Sequence, residues 1–257
     1  MQQLIRTAFV TGGAQGLGRG FSKALLDRGI KVCFADVQAS VGKSTETEFK
    51  SLYGDDKVMF CHCDVTSVNN LEDSFNAAVK KFGHVDLMVN NAGIGDESKL
   101  VQMISINLTA AIQGSQIALE HMRKDKGGRG GRIINVASTA GLIGVYFSPR
   151  YCASKFGLVG YHHSMASNPH AKEMGLQFGC LCPAFTDTAI INFDETKMDY
   201  YDEGLKFLEA IGINTVDAVV DGFMHFVDND DINGDIVTVT AQRGFQVKNK
   251  HKRKAHL

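Results

Sequence analysis

Thr11-Gly12-Gly13-Ala14-Gln15-Gly16-Leu17-Gly18 is the stretch that decides the fold. It stands between a β-rich apolar run, Ile5–Val10, and residues 16–28, where Leu17, Phe21, Leu25 and Leu26 recur at helical spacing. A strand that turns on glycines into a helix gathers free N–H groups and the positive end of the helix dipole at one spot, which suits a diphosphate. Gly12, Gly16 and Gly18 allow the tight turn and the close approach of backbone to phosphate, and Gly13, Ala14, Gln15 and Leu17 complete the loop. A glycine cluster alone is a weak signal; the strand–turn–helix context is what raises it.

The same alternation continues along the chain. Lys31–Asp36, Val58–Cys63, Asp86–Asn90, Ile133–Ala137, Gln177–Cys182 and Asp235–Thr240 read as further strands. Helical patterns fall between them at 67–82, 99–123, 151–166 and 215–228, with a weaker polar one up to about Lys50. This order implies an α/β fold: one Rossmann-type, doubly wound parallel sheet of about seven strands with helices on both faces. Only three prolines and no linker-like stretch occur, so residues 1–247 read as one domain. The connection 184–214 is long for an α/β unit and is expected to be a substrate lid.

Asp36 ends the second strand eighteen residues after Gly18, where a carboxylate can accept from an adenosine ribose and repel a 2′-phosphate. The neighbours that could offset it, Gln15 and Val37, are uncharged, and Arg19 on the first helical turn is expected to face solvent. The cofactor this favours is NAD. A solvated or helix-capping aspartate is the plainer alternative.

Four further features complete a set: Asn90-Asn91-Ala92-Gly93 after the fourth strand, Asn107 on the long helix, Ser138 ending the fifth strand, and Tyr151-Cys152-Ala153-Ser154-Lys155. Together with T-G-x-x-x-G-x-G they resemble the classical short-chain dehydrogenase/reductase family over essentially the whole chain. Within it, AQGLGRG at 14–20, INVASTAGL at 134–142, YCASKFGLVG at 151–160 and CPAFTDTAI at 182–190 are most similar to the NAD-dependent 15-hydroxyprostaglandin dehydrogenase branch. The resemblance implies oxidation of a secondary hydroxyl to a ketone. Tyr151 would be the base and Ser138 would hydrogen-bond the reacting oxygen. Lys155 would assist the tyrosine and hold the nicotinamide ribose, and Asn107 would anchor a water leading to solvent. It also implies cofactor contacts from Asn91, from Cys63, Asp64 and Val65 at the adenine, and from Thr186 and Thr188 at the nicotinamide amide. A homodimer through the helices at 99–123 and 151–166 is implied as well, with a tetramer as the alternative.

The chemistry is consistent with those roles. Tyr151 and Lys155 are four residues apart on one helix and share a face. A free tyrosine, with a pKa of about 10, is a poor base at neutral pH. A nearby ammonium and an oxidised nicotinamide ring favour its phenolate, whereas burial opposes it, so the cations must win.

The lid contributes Phe185, Ile190, Ile191, Phe193, Met198, Tyr200, Tyr201, Leu205, Phe207, Leu208 and Ile211, and the loop before Tyr151 adds Ile143, Val145, Tyr146 and Phe147. An apolar lining of this extent suits a lipophilic alcohol. Three positions depart from the prostaglandin dehydrogenase branch: Ser148 stands where it has a glutamine that is expected to touch the substrate hydroxyl, Ala184 where it has glycine, and Val37 where it has a large aromatic. The expected substrate contacts are thus Ser138, Ser148, Tyr151 and Phe185. A steroid, retinoid or simple alcohol is the alternative substrate, and a non-catalytic dinucleotide sensor is the alternative from another class.

Charge and cysteines bound the rest. The formal net charge of −1 hides a split, because Lys248, Lys250, Lys252, Arg253 and Lys254 crowd the last ten residues; without them 22 basic and 28 acidic residues remain, a net of −6. Residues 248–257 are expected to be a disordered basic tail, and nucleic acid is not an expected partner. The C-x-C pairs Cys61/Cys63 and Cys180/Cys182 lack zinc-site spacing and read as reduced core thiols, so no metal is expected. Met1 to Arg6 lacks a signal-peptide layout and no run approaches a membrane span, which makes the cytosol the expected compartment.

Overall fold

Eight strands form one sheet in the order β3-β2-β1-β4-β5-β6-β7-β8 in the computed structural model, which describes residues 5–189, 195–197 and 200–249. They are β1 (Thr7–Thr11), β2 (Lys31–Asp36), β3 (Val58–His62), β4 (Leu87–Asn90), β5 (Gly131–Val136), β6 (Leu176–Pro183), β7 (Asp235–Thr240) and β8 (Gly244–Asn249). The first seven are parallel and β8 alone is antiparallel. β1 is buried at all five positions, as a strand covered on both faces must be. Strand order reverses between β1 and β4, which opens a crevice at the carboxyl ends of the strands.

Helices α1 (Gly16–Asp27), α2 (Ala39–Tyr53) and α9 (Val216–Asp228) cover one face. Phe21 and Leu25 of α1, Phe49 of α2 and Val219 and Phe223 of α9 pack there on Val10, Phe34 and Val237. Phe21 and Phe223 stack with ring centroids 4.4 Å apart and tie α1 to α9. The other face is covered by α3 (Val68–Phe82), α4 (Leu100–Ile104), α5 (Ala111–Met122) and α6 (Pro149–Ala166). The helix expected over 99–123 is continuous but changes pitch: residues Ser105–Ala110, including Asn107, form a π-turn between α4 and α5. A short α7 (Ala171–Met174) precedes β6, and α8 (Tyr201–Ile211) lies in the 184–214 connection, the expected lid.

Two expectations need correction. The sheet has eight strands, not about seven, because Gly244–Asn249 turns back along β7. Phe245 and Val247 alternate with Gln246 and Lys248, a period-two pattern that the basic composition beyond it obscured. Lys248 therefore belongs to the sheet and not to a tail. Residues 250–257, and Ile190, Ile191, Phe193 and Met198 of the lid, lie outside the described residues. Among the described residues no helix is long and apolar enough to cross a membrane.

Candidate active site

A cleft of about 990 Å³ runs along the carboxyl ends of the strands. Its first end is built by the turn from β1 into α1. Gly12 sits at φ +64°, and a Cβ on Gly18 would lie 2.1 Å from the Gly12 carbonyl oxygen, so the turn closes only with glycine at both positions. Asn91 pins the turn, its amide donating to the carbonyls of Thr11 (2.9 Å) and Gly12 (3.1 Å). Thr188, at the head of the lid, lies over Gly16.

Asp36 faces the same end and is buried. One carboxylate oxygen accepts from the Ala14 N–H (3.1 Å) and the other from the Gln38 N–H (3.0 Å). Each oxygen keeps a lone pair for a further donor. The Arg19 side chain reaches solvent, and its guanidinium also grips both oxygens of Glu48 (2.6 and 2.8 Å) on α2 and lies over the Phe49 ring. That pairing engages the cation nearest in sequence to the glycine turn with a carboxylate of α2.

At the centre of the cleft, α6 presents Tyr151 and Lys155, and the end of β5 presents Ser138. The Lys155 ammonium stands 5.6 Å from the Tyr151 ring centroid and donates to the Val136 carbonyl at 3.0 Å. Burial pushes the Tyr151 phenol up to about 12, while a hydrogen bond with the Ser138 hydroxyl pulls the other way. Burial also pushes the Lys155 ammonium down to about 8. In the chain alone, desolvation thus outweighs the cation beside the phenol, and further positive charge is needed to make Tyr151 a base near neutrality.

Of the residues singled out from sequence, Gly12, Gln15, Gly16, Leu17, Asp36, Val37, Cys63, Asp64, Val65 and Asn91 line the cleft, together with Ser138, Ser148, Tyr151, Lys155, Phe185, Thr186 and Thr188. Gly13, Ala14, Gly18 and Asn107 support it from behind. The Gly13 N–H is bonded to Ala35 and that of Ala14 to Asp36. The Asn107 side chain bonds to neighbours: its oxygen accepts from the Ile94 N–H (2.9 Å), and its NH₂ donates to the Ile94 carbonyl (2.9 Å) and the Ser154 hydroxyl (3.2 Å).

Sequence reasoning missed Glu97. This buried carboxylate on the loop after β4 accepts the Tyr151 N–H (2.8 Å) and the Arg150 N–H (3.1 Å), two of the orphan donors that open α6. Its own N–H donates to the Lys197 carbonyl of the lid at 3.1 Å. Fifty-three or more residues separate it from these α6 partners, so no local pattern in the sequence could mark it.

The roof is aromatic. Phe147 meets Tyr146 at 5.4 Å and Phe207 at 5.4 Å, Phe207 meets Phe185 at 6.4 Å, and Tyr146 meets Tyr200 at 5.8 Å, all edge to face. Several lid residues therefore dock on one another as well as line the cleft.

Fold and site together define a short-chain dehydrogenase, and the comparisons agree. The family model described as short chain dehydrogenase matches residues 6–199, and the chain belongs to that family. Over 245 residues it is 35% identical to the 15-hydroxyprostaglandin dehydrogenase [NAD(+)] of Rattus norvegicus, covering 93% of this chain and 92% of the rat protein. The protein of the same name from Homo sapiens matches with the same identity and coverage. An Alcohol dehydrogenase 1 of Ceratitis cosyra is 35% identical over 144 residues, 56% of each chain. A short-chain dehydrogenase/reductase from Burkholderia phymatum, solved in complex with NAD, superimposes with a TM-score of 0.77 at 21% identity over 91% of this chain and 89% of that one.

Proposed function

We propose that the protein is an NAD-dependent dehydrogenase that oxidises a secondary hydroxyl on a lipophilic, hydroxyprostaglandin-like substrate. The observation that carries this reading is the convergence of Ser138, Tyr151 and Lys155 in the same cleft as the buried Asp36 fork. The residues fit the cofactor. The turn at Gly12–Gly18 leaves room for a diphosphate, Asp36 keeps acceptors for ribose hydroxyls, and Arg19 is already paired. Cys63, Asp64 and Val65 would flank the adenine, and Thr186 and Thr188 the nicotinamide end.

When bound, the oxidised dinucleotide supplies a hydride acceptor and a positive ring beside the phenol. Tyr151 takes the proton from the substrate hydroxyl. Ser138 donates to the reacting oxygen and holds it against Tyr151. Lys155, kept in place by the Val136 carbonyl, lowers the cost of the phenolate. The Asn107 NH₂ is bonded to Ile94 and Ser154, while its oxygen accepts from the Ile94 N–H and keeps a lone pair for a water. The aromatic roof excludes bulk water and favours an apolar chain.

NADH formation with a prostaglandin E-type lipid, a steroid alcohol and a short secondary alcohol tests the reading. Turnover is expected for the lipid and is expected to fall by about 10²–10⁴ in Tyr151→Phe. Activity that survives Tyr151→Phe would overturn the mechanism. Lack of turnover of the prostaglandin, with another alcohol oxidised, would overturn only the substrate. A homodimer accompanies this reading, supported by Leu100 on α4 and Phe156 on α6, which expose 47% and 45% of their surface. A single-chain mass in sedimentation would count against it.

A further inference from the structure

The two ends of the cleft carry opposite charge. Among the described residues, five ionisable residues of formal charge line it: Asp36 and Asp64 at the adenosine end, the buried Lys155 in the middle, and Arg243 and Lys248 at the far edge of the sheet. The last two are exposed, and among the described residues neither is paired with a carboxylate.

Register explains why Lys248 lies on the cleft side of the sheet, and Arg243 lines the cleft from the turn just before β8. Gln246 pairs with Thr238, which pairs with Cys182, and Lys248 pairs with Ile236, which pairs with Cys180. Residues in register on neighbouring strands point to one face. Cys180, Cys182 and Ile236 pack with Leu158 and Val159 of α6, so that face is the one beneath Tyr151 and Lys155. Phe245 takes the opposite face, within reach of Gly222 on α9. Gln246 and Lys248 therefore stand two strands, roughly 10 Å, from β6 on the catalytic side. The turn before β8 is tied to the roof, since the Gln242 amide donates to the Ala210 carbonyl of α8 at 3.1 Å. Phe207 and Ile211 of that helix line the cleft between the two.

From this geometry we infer that the β7–β8 hairpin is an anion subsite, in which Arg243 and Lys248 grip a carboxylate at the end of the substrate's apolar chain while the hydroxyl lies at Tyr151. The inference rests on the proposed dehydrogenase reading and names the residues that select among its substrates. An apolar roof lowers the local dielectric and strengthens the pairing of a carboxylate with two cations. Among the described residues, the acids lining the cleft are at its other end, so an anionic substrate is drawn to the hairpin and away from the cofactor.

The test uses 12-hydroxyoctadecanoate and its methyl ester. Binding to the NADH-loaded protein is measured by calorimetry beside turnover with NAD. The acid is expected to bind roughly five- to tenfold more tightly than the ester, an advantage that shrinks as salt is raised. In Arg243→Ser/Lys248→Ser the acid-to-ester ratio is expected to fall towards one, with Lys248→Gln alone giving an intermediate ratio. Equal binding of acid and ester by the wild-type chain, or a ratio unmoved by either variant, would overturn the subsite. A preserved binding preference without turnover of either compound would support the subsite and count against the dehydrogenase reading.

Discussion

The cofactor end and the substrate end of the cleft are built by different means. The cofactor end is assembled from strand termini and short loops: the turn at Gly12–Gly18, Asp36 at the end of β2, Cys63–Val65 after β3 and Asn91 after β4. Its geometry is set by main-chain approach and by single hydrogen bonds, such as those from Ala14 and Gln38 to Asp36. The substrate end is assembled from three separate segments, 143–148, 184–214 and 242–248, and described aromatic rings of the first two meet edge to face. A diphosphate constrains the backbone and so dictates residue types at fixed spacing. An apolar chain constrains only volume and shape, which many side chains can supply.

Tyr151 and Lys155 join the two ends, and Lys155→Met perturbs that junction while leaving the tyrosine in place. Turnover is expected to fall by about 10²–10³, because the phenolate loses its fixed cation. Stability is expected to move the other way. Burial lowers the Lys155 pKa from 10.5 to about 8. The folded chain therefore bears the cost of a buried ammonium fully below about pH 8, and that cost fades as pH rises towards 10.5, where the unfolded lysine also loses its proton. The shift bounds this cost at about 3 kcal/mol, and loss of the bond to Val136 offsets part of it, leaving a net gain of about 1–2 kcal/mol at pH 7. Thermal melts across pH 7 to 10 would show the advantage of Lys155→Met narrowing. A variant less stable than wild type at pH 7 would show that the ammonium is well solvated by its surroundings.

The same contrast explains what could be read from the chain. Lys31–Asp36 and Asp235–Thr240 fall where the β-rich runs place them, and Asp36, Tyr151 and Lys155 stand in one cleft because short spacings fix them to strand ends and to one helix face. Glu97 was invisible because its partners, Arg150 and Tyr151, are neighbours only in the folded chain. Asn107 lies behind the cleft wall, and nothing local in the sequence shows that its side chain bonds to Ile94 and Ser154. The pairing of Arg19 was hidden for the same reason, since Glu48 lies on another helix. Strand β8 did carry an alternating pattern, and its lysine drew attention to charge instead of periodicity. Residues that meet partners within one turn or one strand are readable; those that meet them across the fold are not.

Asp36→Asn probes the cofactor end alone. The substitution keeps an acceptor but removes the charge that opposes a 2′-phosphate and strengthens the ribose contact. The KM for NAD is expected to rise about 10- to 100-fold, in line with the 1.5–3 kcal/mol of a hydrogen bond to a charged group. The preference for NAD over NADP is expected to narrow by a similar factor. An unchanged preference would mean that Arg19 and Glu48, and not Asp36, set the choice.

Glu97→Gln is expected to have the smallest effect and is the most direct test of how the two ends are coupled. Glu97 accepts the first N–H groups of α6 with its side chain and reaches Lys197 in the lid with its backbone. A negative group at a helix start is favourable, and Ser148 offers no side-chain cap there, so Glu97 supplies the cap from across the fold. Glutamine retains one acceptor but turns an NH₂ towards a donor. One cap is lost, at a cost of about 1–3 kcal/mol. If Glu97 positions Tyr151, kcat at saturating NAD and alcohol should fall about tenfold, because loss of a cap of that size lets the tyrosine leave its productive geometry. The KM for NAD should move less than about threefold, because the cap does not contact the glycine turn. Amide exchange at Arg150 and Tyr151 should quicken with that of Glu97 itself, since lid and helix share the one residue. A lower melting temperature with kcat unchanged would reduce Glu97 to a helix cap and leave the position of the base to Ser138 and Lys155.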